Sequence, residues 1–363
     1  IDGHIDLPFR LYKKSLLFEK KIKLNKETSG NFDIPKAIRG GLNCPFMSIY
    51  IPSDKNFDEA FILADNLIDL VDNVIKSNEK NLACAHRPSD VEKNFIDNKI
   101  SLPMGMENGS ALGKDINNIK YFFSRGIRYI TLTHAKDNQI CDSSYDSKKT
   151  WNGLSDFGFK VIKEMNKIGM MVDVSHVSDK TFYDVLNISK KPLVATHSSP
   201  RKFTPGFERN MSDDMIIDLA DNGGLIMINF GSSFVNQKSN KIFSEIEKKV
   251  KDYKTKKNLK SDHKELKNYK NDLINDMNPF ASIEDVIETI DHVYQLVGID
   301  HIGFGSDFDG LGNSLPEGLK DVSMYPNIIE RLLEKNFSEG DIKKICCENL
   351  FRVWNTNLQN RQT

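Results

Sequence analysis

The sequence predicts an α/β fold, a (β/α)8 barrel of TIM type, and three observations carry the prediction. Short apolar runs of strand length recur eight times, helical patterns separate them, and chemistry-bearing side chains collect where the runs end. A length of 363 residues suits one such barrel, because α/β barrels of this size fold as a unit. The expectation is one domain over residues 1–363, with a Lys-rich helical insertion at about 235–280.

The first run is GHIDL, followed by NCPFMSIYI at 43–51 and SLPMGME at 101–107. IRYITLTH occupies 127–134, GMMVDVSH 169–176 and PLVATHSS 192–199. GGLIMINF at 223–230 and HIGFGSDF at 301–308 complete the set. Most are apolar on both faces, as strands are when they lie between a core and an outer layer. Helix signals fill the gaps. Ser155 precedes Phe157, Val161, Ile162, Met165 and Ile168 at helical spacing, and Gly169 stands just past them. Ser178 and Ser212 open two more helices, the second with Asp213 and Asp214 where the helix dipole favours negative charge. Ser282 with Asp285 forms a capping-box pattern ahead of Val286, Ile287, Ile290 and Val293, stopping at Gly298. Ser338 and Asp341 open the closing helix in the same way.

Residues 235–280 break this rhythm. Within 235–270, twelve Lys stand against three Glu and two Asp. This is the pattern of a solvated helical insertion rather than a nucleic-acid patch. Lying after a strand, it reaches the rim that carries the active-site loops, where a lid would sit.

A formal net charge of −1 makes no electrostatic case for nucleic acid or an anionic membrane as partner. No run approaches the roughly 18 consecutive apolar residues that span a bilayer. The sequence does not open with Met, so the expected start lies upstream, and a cleaved signal peptide stays open. Cys44, Cys84, Cys141, Cys346 and Cys347 are odd in number and form no C-x-x-C pair. They read as reduced thiols, which leans to a reducing, cytoplasmic compartment.

In such barrels the active site lies at the C-terminal ends of the strands. His4, His134, His176 and His197 fall at or near those ends, as do Asp6, Glu107 and Asp307. His86, His263 and His292 scatter over helices and loops, and His301 opens its strand on the opposite face. His4 and Asp6 stand two apart, so in a strand both point to one face, roughly 6.5 Å apart, and can converge on one ion. Each residue alone has a plain structural alternative. An imidazole can bond within the barrel, Glu107 can cap a turn, Asp307 and Asp309 can form a turn in GSDFDG, and Arg209 can pair with the acids after it. A calcium loop fails for GSDFDG, because the later ligands of such a loop are missing. Seven of these residues on one rim outweigh the separate alternatives. They exceed the three protein ligands of a catalytic zinc. Two ions sharing a carboxylate account for the surplus, with Glu107 as the bridge, since a carboxylate can join ions about 3.5–4 Å apart. The expected chemistry is hydrolysis.

IDGHIDLP, DIPKAIRGGLNCPFMSIYIP, GMEN, YITLTH, GLSDFG, MVDVSHVS, ATHSSPR, RNMSDD, GFGSDFDG and GLKDVSMYP follow one another in a familiar order. From residue 1 to about 354 the sequence resembles the membrane dipeptidase, or renal dipeptidase, family of zinc metallopeptidases, least closely in the insertion. The resemblance implies a metal-dependent, amidohydrolase-like barrel with two Zn2+ per chain. It also implies hydrolysis of dipeptides through a hydroxide bridging the ions. By motif position, His4, Asp6 and Glu107 hold the first zinc, and Glu107, His176 and His197 the second. His134 binds substrate and stabilises the oxyanion, and Arg209 grips the substrate carboxylate with its planar fork. Asp307 takes a proton from the attacking water and passes it to the leaving amine, an assignment open to exchange with Asp309. The implied partners are small dipeptides and a second copy of the chain, as a homodimer. A related amidohydrolase acting on an N-acyl amino acid is the alternative activity, and a non-catalytic barrel scaffold is the third reading.

Some positions depart from the family pattern. Ile5 and Phe9 stand where it commonly has Asn and Trp, and Asn108 and Ser110 where it often has Gly and His. They flank the ligand positions and so bear on substrate preference. The disulfide cysteines of mammalian members have no clear matches, which speaks against a lipid-anchored, disulfide-bonded ectodomain.

Overall fold

The computed structural model describes residues 1–16, 22–260 and 263–359, so residues 261–262 of the Lys-rich insertion lie outside it. Eight parallel strands form one sheet in chain order: β1 Asp2–Ile5, β2 Pro45–Tyr50, β3 Met104–Glu107, β4 Ile127–Thr131, β5 Met171–Asp173, β6 Val194–Ser198, β7 Leu225–Ile228 and β8 Ile302–Phe304. The sheet closes where β8 meets β1, and that seam lies beyond the end of β8. Asp6 N donates to Phe308 O at 2.8 Å and Asp307 N to His4 O at 3.1 Å. The barrel predicted from the sequence is therefore present, and its last seam is made by the loop that carries Asp307.

Strand alternation divides the apolar side chains between two cores. Met47, Ile130, Val172, Ala195, Ile226 and Ile228 point outward into the layer under the helices. Phe46, Tyr129, Met171, Val194, Leu225 and Met227 point inward and fill the barrel floor. Trp354, on the closing helix Asn349–Leu358, plugs that floor, with its ring 5.1 Å from Phe46. Gly105 makes room for the widest of these inward residues. A Cβ there would lie 2.0 Å from the Tyr129 ring, so only glycine lets that ring cross the lumen.

The helix signals hold. Ser155, Ser178 and Ser212 each accept a bond from the third residue of the helix they precede, and Gly169 ends the first of these at φ +80°. Both capping boxes form, Ser282 with Asp285 and Ser338 with Asp341. The insertion is a helical hairpin, Gln237–Lys257 and Lys264–Met277, pinned by stacked Tyr253 and Tyr269 rings 4.2 Å apart. It starts just after the short helix that follows β7, on the side of the barrel where the strands end.

The strands are all shorter than the predicted runs, and in two of them the reason is visible. Run 101–107 divides at Pro103, which has no N–H to donate to a ladder. Ser101, its first residue, joins Ile100 in a strand that pairs with Leu82–Ala83 in a separate ribbon that the sequence did not reveal. Run 169–176 stops pairing at Asp173, and His176 turns into the left-handed region at φ +70°. All five cysteines are free. Among the described residues, no helix is long and apolar enough to cross a membrane.

One buried carboxylate holds the seam. Asp2 accepts from His4 N and Ser306 N, each at 3.0 Å, and from the hydroxyls of Ser306 and Tyr325. Asp2→Ala should leave these buried donors unpaired, each costing about 1–3 kcal/mol. Denaturant unfolding should therefore show a loss of at least about 3 kcal/mol. A loss under about 1 kcal/mol would mean that the seam does not depend on Asp2.

Candidate metal centre

The strand ends deliver the residues. His4 lies in β1 and Asp6 just after it, on the same face; Glu107 ends β3; His197 lies in β6. His134, His176 and Asp307 stand in the loops directly beyond β4, β5 and β8. Asn108, after Glu107, takes φ +77° and ties its loop down, donating to Ile51 O at 2.8 Å and accepting from Asn138 at 3.0 Å.

Glu107 is the hub. Its Oε2 lies 3.4 Å from His4 Nε2, which in turn lies 3.6 Å from Asp6 Oδ2. Its Oε1 faces a different set: His176 Nε2 at 3.1 Å, His197 Nε2 at 3.3 Å and His134 Nε2 at 3.7 Å. His176 Nε2 and His197 Nε2 stand 2.9 Å apart. Three groups of ligand atoms result: His4 with Glu107 and His197, Glu107 with His134 and His176, and His4 with Asp6 and Asp307.

Burial opposes charge throughout this cluster, and neighbours decide which groups keep it. Burial works against an ionised Glu107, but His4, His134, His176 and His197 outweigh it and hold the carboxyl well below its usual range. Burial would likewise lower His4, but Tyr129, Glu107 and Asp6 draw it well above the ordinary imidazole value. Burial, with His4 beside it, pushes His197 down to about 3; burial and the Arg209 guanidinium push His176 well down as well. Burial, with Asp6 and Glu107 nearby, raises Asp307 well above the carboxylate range.

The donor set fits a metal. His4 Nδ1 lies 3.0 Å from the Tyr129 hydroxyl, which lies 3.0 Å from Gly3 O. Both contacts are satisfied when Tyr129 donates to the carbonyl and accepts His4 Nδ1–H. His4 Nε2 is buried without a hydrogen-bond partner and faces two carboxylates, so it either holds the proton that its raised pKa marks or turns a lone pair toward them. Acceptor facing acceptor is repulsive unless a cation lies between them. Ligands around a tetrahedral zinc stand about 3.3–3.4 Å apart, given bonds of about 2.0–2.1 Å. The spacings between 2.9 and 3.6 Å around Glu107 bracket that value.

Arg209 is buried beside this cluster. It donates to Ser198 Oγ at 2.9 Å and His197 O at 2.7 Å, while its Nε has no partner. Among the described residues no carboxylate pairs with it, so pairing with its following acids fails as a reading; Asp213 bonds His292 instead. Asp309 is also set apart. Arg10 and Asn31 N donate to its Oδ1 at 2.6 and 2.7 Å, whereas Asp307 faces the centre and takes Asn229 Nδ2 on Oδ2 at 2.9 Å.

A model of the membrane dipeptidase family (peptidase family M19) matches residues 1–363. The chain belongs to the membrane dipeptidase family. It is thus a peptide-bond hydrolase of a metallopeptidase family, which implies a metal. It is 30% identical over 362 residues to the dipeptidase tcpJ of Claviceps purpurea, covering 97% of this chain and 75% of that protein. Among solved structures, a metallo peptidase from Rhodobacter sphaeroides, liganded with a phosphinate mimic of L-Ala-D-Ala, superposes with a TM-score of 0.80 at 24% identity, covering 98% of both chains. The probable dipeptidase PvdM of Pseudomonas aeruginosa gives 0.80 at 24%, covering 93% of this chain and 94% of that one. These two likenesses show the fold.

Three features of this family member were not found from sequence. Tyr129 lies mid-strand among apolar residues and carried no signal. Tyr145 presents its ring 5.9 Å from His176 from a loop without periodicity, and burial raises its hydroxyl to about 12. Asn229 holds Asp307, and only the NF dipeptide ending an apolar run marked it. Replacing Glu107 by Gln removes the charge that both histidine sets share. Metal retained after dialysis, measured by atomic emission, should fall at least about tenfold. Retention at the unsubstituted level would remove Glu107 from the ligand set.

Proposed function

We propose that the protein is a zinc dipeptidase that holds two ions across Glu107 and cleaves substrates ending in a free carboxylate. The observation that carries this reading is the division of Glu107, one oxygen toward His4 and the other toward His176 and His197. His4, Asp6 and Glu107 would hold one ion, and Glu107, His176 and His197 the other. When bound, such ions polarise the scissile carbonyl and lower the pKa of water from about 15.7 toward 7.

The chain's own residues do the rest. Among the described residues no carboxylate pairs with the buried Arg209 guanidinium, so a substrate carboxylate would serve as its counter-ion. Its fixed place beside His197 sets the distance from that carboxylate to the scissile bond, which confines the enzyme to very short peptides. His134 overlooks the same cleft, with its ring T-shaped on Tyr50 at 4.9 Å. Burial lowers its pKa, so it stays neutral and can donate one N–H to the oxygen that gains charge. Asp307, fixed at Oδ2 by Asn229, has Oδ1 to take a proton from the attacking water and return it to the leaving amine. Asp309, bound to Arg10 and Asn31, does not share that task.

That a structure of the same fold is liganded with a mimic of L-Ala-D-Ala makes a D residue at the second position worth testing. A panel of L,L- and L,D-dipeptides with N-acyl amino acids tests the substrate class. Turnover confined to the N-acyl compounds would replace this reading with the amidohydrolase one. Arg209→Ala should raise KM for dipeptides at least about 30-fold, the lower bound for removing one partner of a buried charge pair, with metal content unchanged. An unchanged KM would end its assigned role. Asp307→Asn should lower kcat about 10²–10⁴-fold while both ions stay bound. Near-normal kcat would return the proton transfer to another group.

A further inference from the structure

We propose that Thr196 is a positioning residue whose hydroxyl carries the charge of Asp173 to His197. It thereby sets the metal affinity of the His176–His197 half of the centre more than that of the His4–Asp6 half. The proposal rests on the two-ion reading above.

Counting protons fixes the direction of each bond. Asp173, fully buried at the end of β5, accepts Ser175 N and Thr196 N on Oδ1, both at 2.9 Å. On Oδ2 it accepts the hydroxyls of Thr131 and Thr196, the latter at 2.6 Å. All four bonds are accepted, so both oxygens of Asp173 serve as acceptors. The one hydroxyl proton of Thr196 is therefore committed to Asp173, and its oxygen can only accept. His197 Nδ1 lies 2.9 Å from that oxygen and must carry the ring proton. His197 Nε2 is left with its lone pair facing Glu107 and His176.

Adjacent strand residues normally point to opposite faces. Here the pairing of β6 with β7 shifts register between Ala195 and Ser198, and Thr196 comes within reach of the next side chain. No other histidine of the centre has this support. His176 Nδ1 is buried without a partner. His4 Nδ1 rests on the Tyr129 phenol, whose proton goes to Gly3 O and which burial keeps neutral. A carboxylate behind an imidazole fixes the ring and raises the basicity of its metal-binding nitrogen.

The test uses the full chain, stripped of metal and titrated with Zn2+ against a chromophoric chelator. Thr196→Val replaces the hydroxyl by a methyl at nearly constant volume, and Thr196→Ser keeps the hydroxyl. The unsubstituted chain should take up two equivalents. T196V should bind one equivalent about 10–100-fold more weakly and the other with a clearly smaller change, and T196S should restore both. If T196V does not fold, Asp173→Asn should give the same selective loss, because an amide facing Thr196 turns its hydroxyl proton toward His197. Unchanged binding of both equivalents overturns the proposal. So does equal weakening of both together with a lower Tm of the metal-free chain, which marks a structural role. A single equivalent in the unsubstituted chain overturns the two-ion reading itself, and the selectivity with it.

Discussion

A carboxylate placed where water scarcely reaches is the constraint around which the C-terminal rim is arranged. Glu107 is 3% exposed, and an unpaired carboxylate at that depth costs several kcal/mol. Its histidine neighbours outweigh that cost, His4 by keeping its charge. His176 and His197 are held neutral by burial, and their Nε2 atoms crowd to 2.9 Å. Asp6 and Asp307 add further negative character on the His4 side. Such a cluster of donors suits a cation, and the fold must hold the donors together.

The barrel does this by tying each donor from behind. Tyr129 crosses the lumen from β4 to reach His4, and can do so because position 105 is glycine. Thr196 and Asp173 stand behind His197, and Asn229 behind Asp307. Asp2 bonds the backbone on both sides of the closing seam, so it seats His4 and Ser306, the residue before Asp307, through one carboxylate. Barrel closure and the geometry of the centre are thus the same set of bonds. A change that loosens the seam also moves the ligands.

Much of this was legible in the chain. The eight strand runs and the serine caps are local signals, set by side-chain period and by the orphan N–H groups of helix starts. Less legible were the lengths of the strands. Pro103 divided one run, and His176 left its ladder early, because pairing depends on neighbours distant in the chain. The ribbon of Leu82–Ala83 with Ile100–Ser101 has too few residues to show any period. Tyr129 and Tyr145 were silent, since an inward tyrosine in an apolar strand reads as core until the partner of its hydroxyl is known.

The sequence by itself determined the fold class and which polar residues end the strands, because alternation and helix period are properties of neighbouring residues. It also carried the family, through long motifs in a fixed order. Only the tertiary structure decided which of two aspartates, Asp307 or Asp309, faces the centre. It alone turned one oxygen of Glu107 toward His4 and the other toward His134, His176 and His197, and set the Thr196 hydroxyl, bound to Asp173, against the ring of His197. These are distances between atoms on different strands, fixed by register and closure, and no local pattern encodes them.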